Sequence, residues 1–208
     1  MTKDILYLGS KSKPRRKLLE LSQIDYKILE HKSDECGIDI KHDFDNYVLS
    51  IAQEKMDHLV LPDVQKIKED FIFVLTADTL VKSTKSNQIL CKPKDLNDAK
   101  RMLTILYNEP VRVVTGCCLE KKILKSNEWE TEEKQYWTTD AIVEFCVEPK
   151  DFDKYFCNLP DFIYSCSAGI IEGYGQSFFK SINGSYTTVL GLPLYQLRQK
   201  LKEMGFKF

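Results

Sequence analysis

Apolar positions along the chain alternate between strand and helix spacing. Residues 5–8 form a short apolar run that ends in Gly9 and predicts a strand. Residues 14–22 then predict a helix opened by Pro14. Proline suits a first helical position, where its missing N–H would have no partner anyway. Ile24, Tyr26 and Ile28 alternate and predict a second strand. Residues 31–42 are polar and predict a loop. Over 43–59, Phe44, Tyr47, Val48, Ile51, Ala52, Met56 and Leu59 recur on one helical face. Lys55 lies within that stripe, so it either meets an anion or runs out to solvent.

The run F-I-F-V-L at 71–75 predicts a buried strand that ends before T-A-D-T at 76–79. Residues 80–82 and 89–91 predict a hairpin, and 95–107 a helix with Ala99, Met102, Leu103 and Leu106 inward. Strands are predicted at 111–119 and 137–147, separated by a charged loop at 125–134. In the second, Trp137, Thr139, Ala141, Val143, Phe145 and Val147 share one face. A short helix begins at Glu148-Pro149. Asn183-Gly184 predicts a type I′ hairpin between strands 176–182 and 185–190. A last helix carries Leu194, Leu197, Leu201 and Met204 and stops at Gly205. Helices and strands alternate early and hairpins dominate late. The expected class is α/β, with a mixed, twisted sheet, flanking helices and an antiparallel hairpin portion.

Composition narrows the partners. The 208 residues are 43% hydrophobic and 29% charged, with a net charge of -1. That balance does not favour nucleic acid, which needs a large basic face. Seven cysteines, an odd number without a C-x-x-C pair, argue against a disulfide framework or a zinc ribbon. The three histidines show no ligand spacing, and no run reaches membrane-spanning length. No signal peptide is predicted, so the expected compartment is the cytoplasm.

The candidate chemistry begins in the first strand-to-helix turn, G-S-K-S-K-P-R-R. Lys13, Arg15 and Arg16 stand at a helix N-terminus, where the dipole is already positive. Ser10, Ser12, Arg15 and free N–H groups there suit a phosphate chain; a solvated basic turn is the plain alternative. Asp78, after an apolar strand, is a metal-holding carboxylate or proton acceptor, or simply a turn aspartate. Lys92 follows a hairpin. A triphosphate with its metal needs this mixture of cations, donors and carboxylate. G-x-x-x-x-G-K-[ST] and G-x-G-x-x-G are both missing, so neither a P-loop nor a Rossmann cofactor is supported.

The ordered set of motifs resembles the Maf family of nucleoside triphosphate pyrophosphatases, related in fold to the inosine triphosphate pyrophosphatases. The matching stretches are S-K-S-K-P-R-R-K-L-L at 10–19, I-A-Q-E-K at 51–55, T-A-D-T at 76–79, C-K-P-K-D at 91–95 and V-V-T-G at 113–116. I-E-G-Y-G at 171–175, F-F-K-S-I-N-G-S-Y at 178–186 and V-L-G-L-P-L at 189–194 complete the set. The resemblance implies one Maf-like domain over residues 1–208, open to division into two lobes around a nucleotide cleft. It implies cleavage between the α and β phosphates with Mg²⁺ or a similar divalent ion, and a homodimer as the family's frequent assembly. It places Ser10, Ser12 and Arg15 on the phosphates, Lys55 and Lys92 around them, and Asp78 as proton acceptor or metal ligand.

Three positions bear on the base and point in different directions. Pro14 stands where the pyrimidine-cleaving branch has arginine and the 7-methyl-GTP branch tryptophan. Thr79 matches the pyrimidine branch, and Glu172 the 7-methyl-GTP branch. Glu172 is also expected at a strand end after Ile170 and Ile171. Y-S-C-S-A-G at 164–169 replaces the family's D-K-A-G-A-Y, and Arg112 stands where histidine is frequent. Two other readings stay open: a low-turnover nucleotide-binding regulator of cell division, and a phosphohydrolase that releases orthophosphate.

Overall fold

The computed structural model describes residues 3–32, 43–67 and 69–208. The loop predicted at 31–42, with His42 and Cys36, falls mostly outside them. Along the chain run β1 (Leu6–Leu8), α1 (Lys13–Leu21), β2 (Tyr26–Ile28), α2 (Phe44–Asp57), β3 (Phe71–Ser83), β4 (Ile89–Leu90) and α3 (Leu96–Asn108). Then follow β5 (Val111–Lys125), β6 (Glu128–Phe145), α4 (Phe152–Asn158), β7 (Phe179–Gly184), α5 (Tyr186–Val189) and α6 (Leu194–Glu203). The seven strands form a mixed sheet ordered β2-β1-β3-β5-β6-β7, with β4 paired to β3. The expected α/β class is correct. No helix among the described residues is long and apolar enough to cross a membrane.

The chain packs as two compact units. The first comprises Met1–Asp78, Thr115–Thr139 and Leu190–Phe208. Here β1 runs parallel to both β2 and β3, with Leu6 opposite Phe73 and Leu8 opposite Leu75. Alternate residues feed opposite faces. Leu6, Leu8, Phe73 and Leu75 join Leu18 and Leu19 of α1 and Leu197 and Leu201 of α6 in one core. Tyr7, Ile72 and Val74 meet Met56 of α2 on the other face. Both faces are covered, which is why L-Y-L and F-I-F-V-L are continuously apolar. Gly116 lets α2 lie close to β5: a Cβ there would stand 2.9 Å from the Leu49 Cα.

The second unit comprises Thr79–Val114 and Asp140–Val189. Its core gathers Ala99, Met102, Leu103 and Leu106 of α3, Val143 and Phe145 of β6, and Phe152, Tyr155 and Phe156 of α4. The Tyr155 hydroxyl donates to the Ala168 carbonyl at 3.0 Å and accepts from the Ile170 N–H at 2.8 Å.

Four expectations need correction. β3 does not end before residue 76 but continues to Ser83, so Asp78 lies mid-strand. The polar T-A-D-T is carried through because β4 pairs with the strand farther on and Asp78 has a buried partner. The charged loop at 125–134 is a tight turn at Ser126 and Asn127, both at positive φ, between two long strands. The charges belong to cross-strand pairs such as Lys121–Glu132 at 2.8 Å. Asn183-Gly184 ends β7 rather than turning a hairpin. Gly184, at φ 127, packs against Ala141 of β6, and 186–189 form a helical turn. Finally, Ile170 and Ile171 are not in a strand, and Glu172 precedes a 3₁₀ segment, Gly173–Phe178.

Candidate active site

Two side-chain clusters in the first unit lie just beyond the Leu8–Leu75 pairing, where β1 leaves the sheet. The first is built by the turn after β1. Gly9 N–H donates to the Leu75 carbonyl at 2.8 Å and fixes where the loop departs. Ser12 caps α1, its hydroxyl accepting from the Arg15 N–H, and Pro14 stands in the first turn. No acidic residue occupies that turn. Ser10 and Arg15 are both buried. The Arg15 guanidinium donates from Nε to the Gly191 carbonyl at 2.7 Å and from Nη1 to Ser10 Oγ at 3.2 Å. Ser10 Oγ also accepts from the Ser12 N–H at 3.2 Å. Both bonds use Ser10 as acceptor, so its own O–H is the proton it offers an anion. Arg16 Nε is buried without a hydrogen-bond partner. The turn thus concentrates positive charge, of which Lys11 meets Glu30 at 3.1 Å.

The second cluster joins α2 to β3. Lys55, on the apolar stripe, does not run out to solvent: its side chain is 8% exposed. Its Nζ donates to Asp78 Oδ1 at 2.6 Å, and Asp78 is itself only 12% exposed. One turn earlier on α2, the Thr76 hydroxyl donates to the Ala52 carbonyl at 2.7 Å. That bond ties the helix to the strand and aims Lys55 at Asp78. Of the two courses expected for Lys55, an anion or solvent, it takes the first and meets the Asp78 carboxylate. Two buried opposite charges satisfy each other where either alone would be costly.

The buried cysteines are poor nucleophiles. Burial pushes the Cys117 thiol up to about 12, although the Arg15 guanidinium pulls the other way. Burial likewise raises Cys118, with the Glu120 charge adding to it. Thiols held this high carry almost no thiolate near neutral pH.

Among the described residues, no three His, Cys, Asp or Glu side chains cluster as a metal cage. Mg²⁺ ordinarily sits on one or two carboxylates with water and substrate phosphates, not in an all-protein cage. Asp78 offers one such carboxylate in the unit that also holds the cationic turn, so the residue types fit an ion that arrives with a polyphosphate.

The remaining predicted residues lie in the second unit. Thr79 is half-buried in β3, and its carbonyl accepts from Cys166 Sγ at 3.1 Å. Lys92 is exposed just after β4. Glu172 is half-buried, and its charge, after burial, raises the Tyr186 phenol above its ordinary value. Tyr186 and Ile171 help line an open recess of about 440 Å³ with Phe179 and Ile182. Tyr164 is 74% exposed, and the Ser165 hydroxyl donates to the Gly169 carbonyl. Arg112 pairs with Asp140 at 2.7 Å.

Sequence reasoning missed the Gly191 carbonyl, which holds Arg15 from 176 positions away. The only signal was the V-L-G-L-P stretch that resembles the family. It also missed the buried Glu120–Lys122 pair at 2.6 Å, with Thr131 bonded to both, because the charges at 125–134 predict a loop there.

The chain matches the family model described as Maf-like protein over residues 5–204. It is 32% identical to the dTTP/UTP pyrophosphatase of Acholeplasma laidlawii (strain PG-8A) over 202 residues, 97% of either chain. It is 31% identical over 207 residues to the dTTP/UTP pyrophosphatase of Clostridium botulinum (strain Kyoto / Type A2), covering 96% of this chain and 97% of that one. It is 27% identical over 206 residues to the dTTP/UTP pyrophosphatase of Fusobacterium nucleatum subsp. nucleatum, covering 97% of this chain and 96% of that one.

Proposed function

The chain belongs to the Maf family, and from that premise we propose that it hydrolyses a nucleoside triphosphate to the monophosphate and pyrophosphate. The whole of residues 1–208 is taken as one Maf-like domain. The observation that carries the reading is the buried Lys55–Asp78 pair, set in the same unit as the Arg15–Ser10 turn. Phosphoanhydride cleavage needs fixed positive charge on the phosphate oxygens and a carboxylate that orients or deprotonates water. These two clusters supply both.

In this mechanism the Ser10 and Ser12 hydroxyls donate to phosphate oxygens, and Arg15 adds charge from a guanidinium already held by Gly191. Lys55 exchanges its Asp78 contact for a phosphate oxygen when substrate arrives. Asp78, released from the ammonium, accepts a proton from the attacking water. Lys92 and Thr79, in the second unit, are assigned to nucleotide binding by family resemblance alone. Asp78 and the substrate phosphates would hold a divalent ion, Mg²⁺ by family resemblance, which would supply further positive charge there.

Arg15→Lys tests the phosphate contact. A lysine cannot reach both Gly191 and Ser10 while facing a phosphate, because it lacks the planar fork. kcat/KM is expected to fall by about 1.5–3 kcal/mol in transition-state binding, the scale of a hydrogen bond to a charged group. Unchanged kcat/KM removes Arg15 from the site.

The relatives are named for dTTP and UTP, which makes pyrimidine triphosphates the first substrates to assay. Glu172 departs from that branch. A carboxylate only accepts hydrogen bonds, whereas glutamine both donates and accepts, as thymine and uracil require. Glu172→Gln is expected to raise the kcat/KM ratio of dTTP or UTP over 7-methyl-GTP by about ten-fold. An unchanged ratio means that Glu172 does not read the base. The function itself is tested by a nucleotide panel with Mg²⁺, then with chelator. Turnover of at least one triphosphate, lost with chelator and restored by Mg²⁺, supports the reading. No turnover of any triphosphate favours the binding regulator, in keeping with the uncharged Tyr164-Ser165.

A further inference from the structure

We propose that Cys91 and Cys166 form a reversible dithiol–disulfide site, a redox modification point in the unit that carries Thr79 and Lys92. Its existence is independent of the hydrolase reading; its effect on turnover rests on it.

The two cysteines are far apart in sequence and adjacent in the fold. Cys91 immediately follows β4, is exposed, and precedes Lys92. Cys166 opens a short 3₁₀ segment, Cys166–Ala168, and is half-buried. The N–H of Ser167 donates to the Cys91 carbonyl at 2.9 Å. The peptide that follows one cysteine is thus docked on the carbonyl of the other. A disulfide closes Cα separations of roughly 4.4–6.8 Å, so it joins only backbones that lie side by side, as this bond holds these two. The Cys166 sulfur also lies on β3, donating to the Thr79 carbonyl at 3.1 Å. Two residues along that strand, Val81 pairs with Leu90, the residue before Cys91. Both sulfur-bearing residues therefore flank the same strand pair.

The segment around Cys166 is held in place rather than loosely draped. Ser167 and Ala168 both adopt left-handed backbone, at φ 62 and φ 58. The buried Tyr155 hydroxyl fixes them by its bonds to the Ala168 carbonyl and the Ile170 N–H. Neither cysteine has a part in phosphoanhydride chemistry. Cys166 also falls in the Y-S-C-S-A-G stretch where this chain leaves the family pattern.

The oxidant is a low-molecular-weight disulfide, RSSR. The exposed Cys91 thiolate attacks one of its sulfurs and expels one thiolate, leaving a mixed disulfide. The Cys166 thiolate then attacks the Cys91 sulfur and expels the second. Two electrons pass from the cysteines to RSSR, and the two cysteine protons end on two RSH molecules. Closure removes the S–H donor from the Thr79 carbonyl and tethers the residue before Lys92.

The full-length protein is treated with oxidised glutathione or with dithiothreitol, alkylated, digested without reduction and mapped by mass spectrometry. A peptide linked through Cys91 and Cys166 is expected. It should disappear with dithiothreitol and in both Cys91→Ser and Cys166→Ser. Oxidation should lower kcat/KM for the triphosphate about five-fold or more in the unsubstituted protein. Each variant should keep the rate of its own reduced form. Separate glutathione adducts, or linkage to Cys146 or Cys157 instead, overturn the site. A linked peptide with unchanged turnover overturns the regulation. A linked peptide in a protein inactive even when reduced overturns the hydrolase reading and leaves the dithiol standing.

Discussion

Asp78→Asn is expected to leave a folded protein whose kcat falls by about 10²–10⁴, the usual contribution of a positioned general base. Asparagine matches the size of aspartate and its carbonyl still accepts from Lys55. It loses the basicity that proton abstraction requires and the charge that attracts a divalent ion. The fold should persist at a lowered Tm, because β3 runs through position 78 on strand pairing and neighbouring burial while the Lys55 ammonium keeps an acceptor but loses its counter-charge. Circular dichroism and the thermal midpoint establish folding, and single-substrate kinetics at saturating Mg²⁺ measure the loss. A rate equal to that of the unsubstituted protein would take Asp78 out of the chemistry.

Lys55→Ala is expected to damage stability and turnover together. It leaves the Asp78 carboxylate buried and uncompensated, which costs about 3–5 kcal/mol. For a chain of this length each kcal/mol lowers Tm by roughly 2–4 °C. The double substitution Lys55→Met with Asp78→Asn removes both charges and should recover most of the lost Tm while remaining inactive. That contrast separates the two roles of the pair. If Lys55→Ala melts with the unsubstituted protein, the 2.6 Å ion pair does not contribute in solution. If the double variant stays as unstable as Lys55→Ala, the loss comes from packing of the lysine stem rather than from an orphaned charge.

Two features of the site are legible in the sequence for physical reasons. A lysine on an otherwise apolar helical stripe announces a buried partner, and Lys55 has one. Serines followed by Pro14 and arginines, with no acid in the turn, announce a capped helix start that gathers positive charge. Asp78 was harder. T-A-D-T has the composition of a turn, and only the three-dimensional partners, β4 and Lys55, show that the strand continues. The turn at Ser126-Asn127 lacks glycine, so two positive-φ residues left no signal there. Asn183-Gly184 left a false one, because a glycine that permits close packing against Ala141 looks the same in sequence as one that permits a turn. Arg15 was readable as a cation but not as one anchored by the Gly191 carbonyl, since nothing local marks a contact of that range.

Phosphorus NMR of the products shows which phosphoanhydride bond breaks. The protein is incubated with Mg²⁺ and the triphosphate it turns over fastest, and the spectrum is followed to completion. Pyrophosphate and nucleoside monophosphate are expected in equal amounts from the first time point. Orthophosphate with nucleoside diphosphate as the initial products would contradict cleavage between the α and β phosphates.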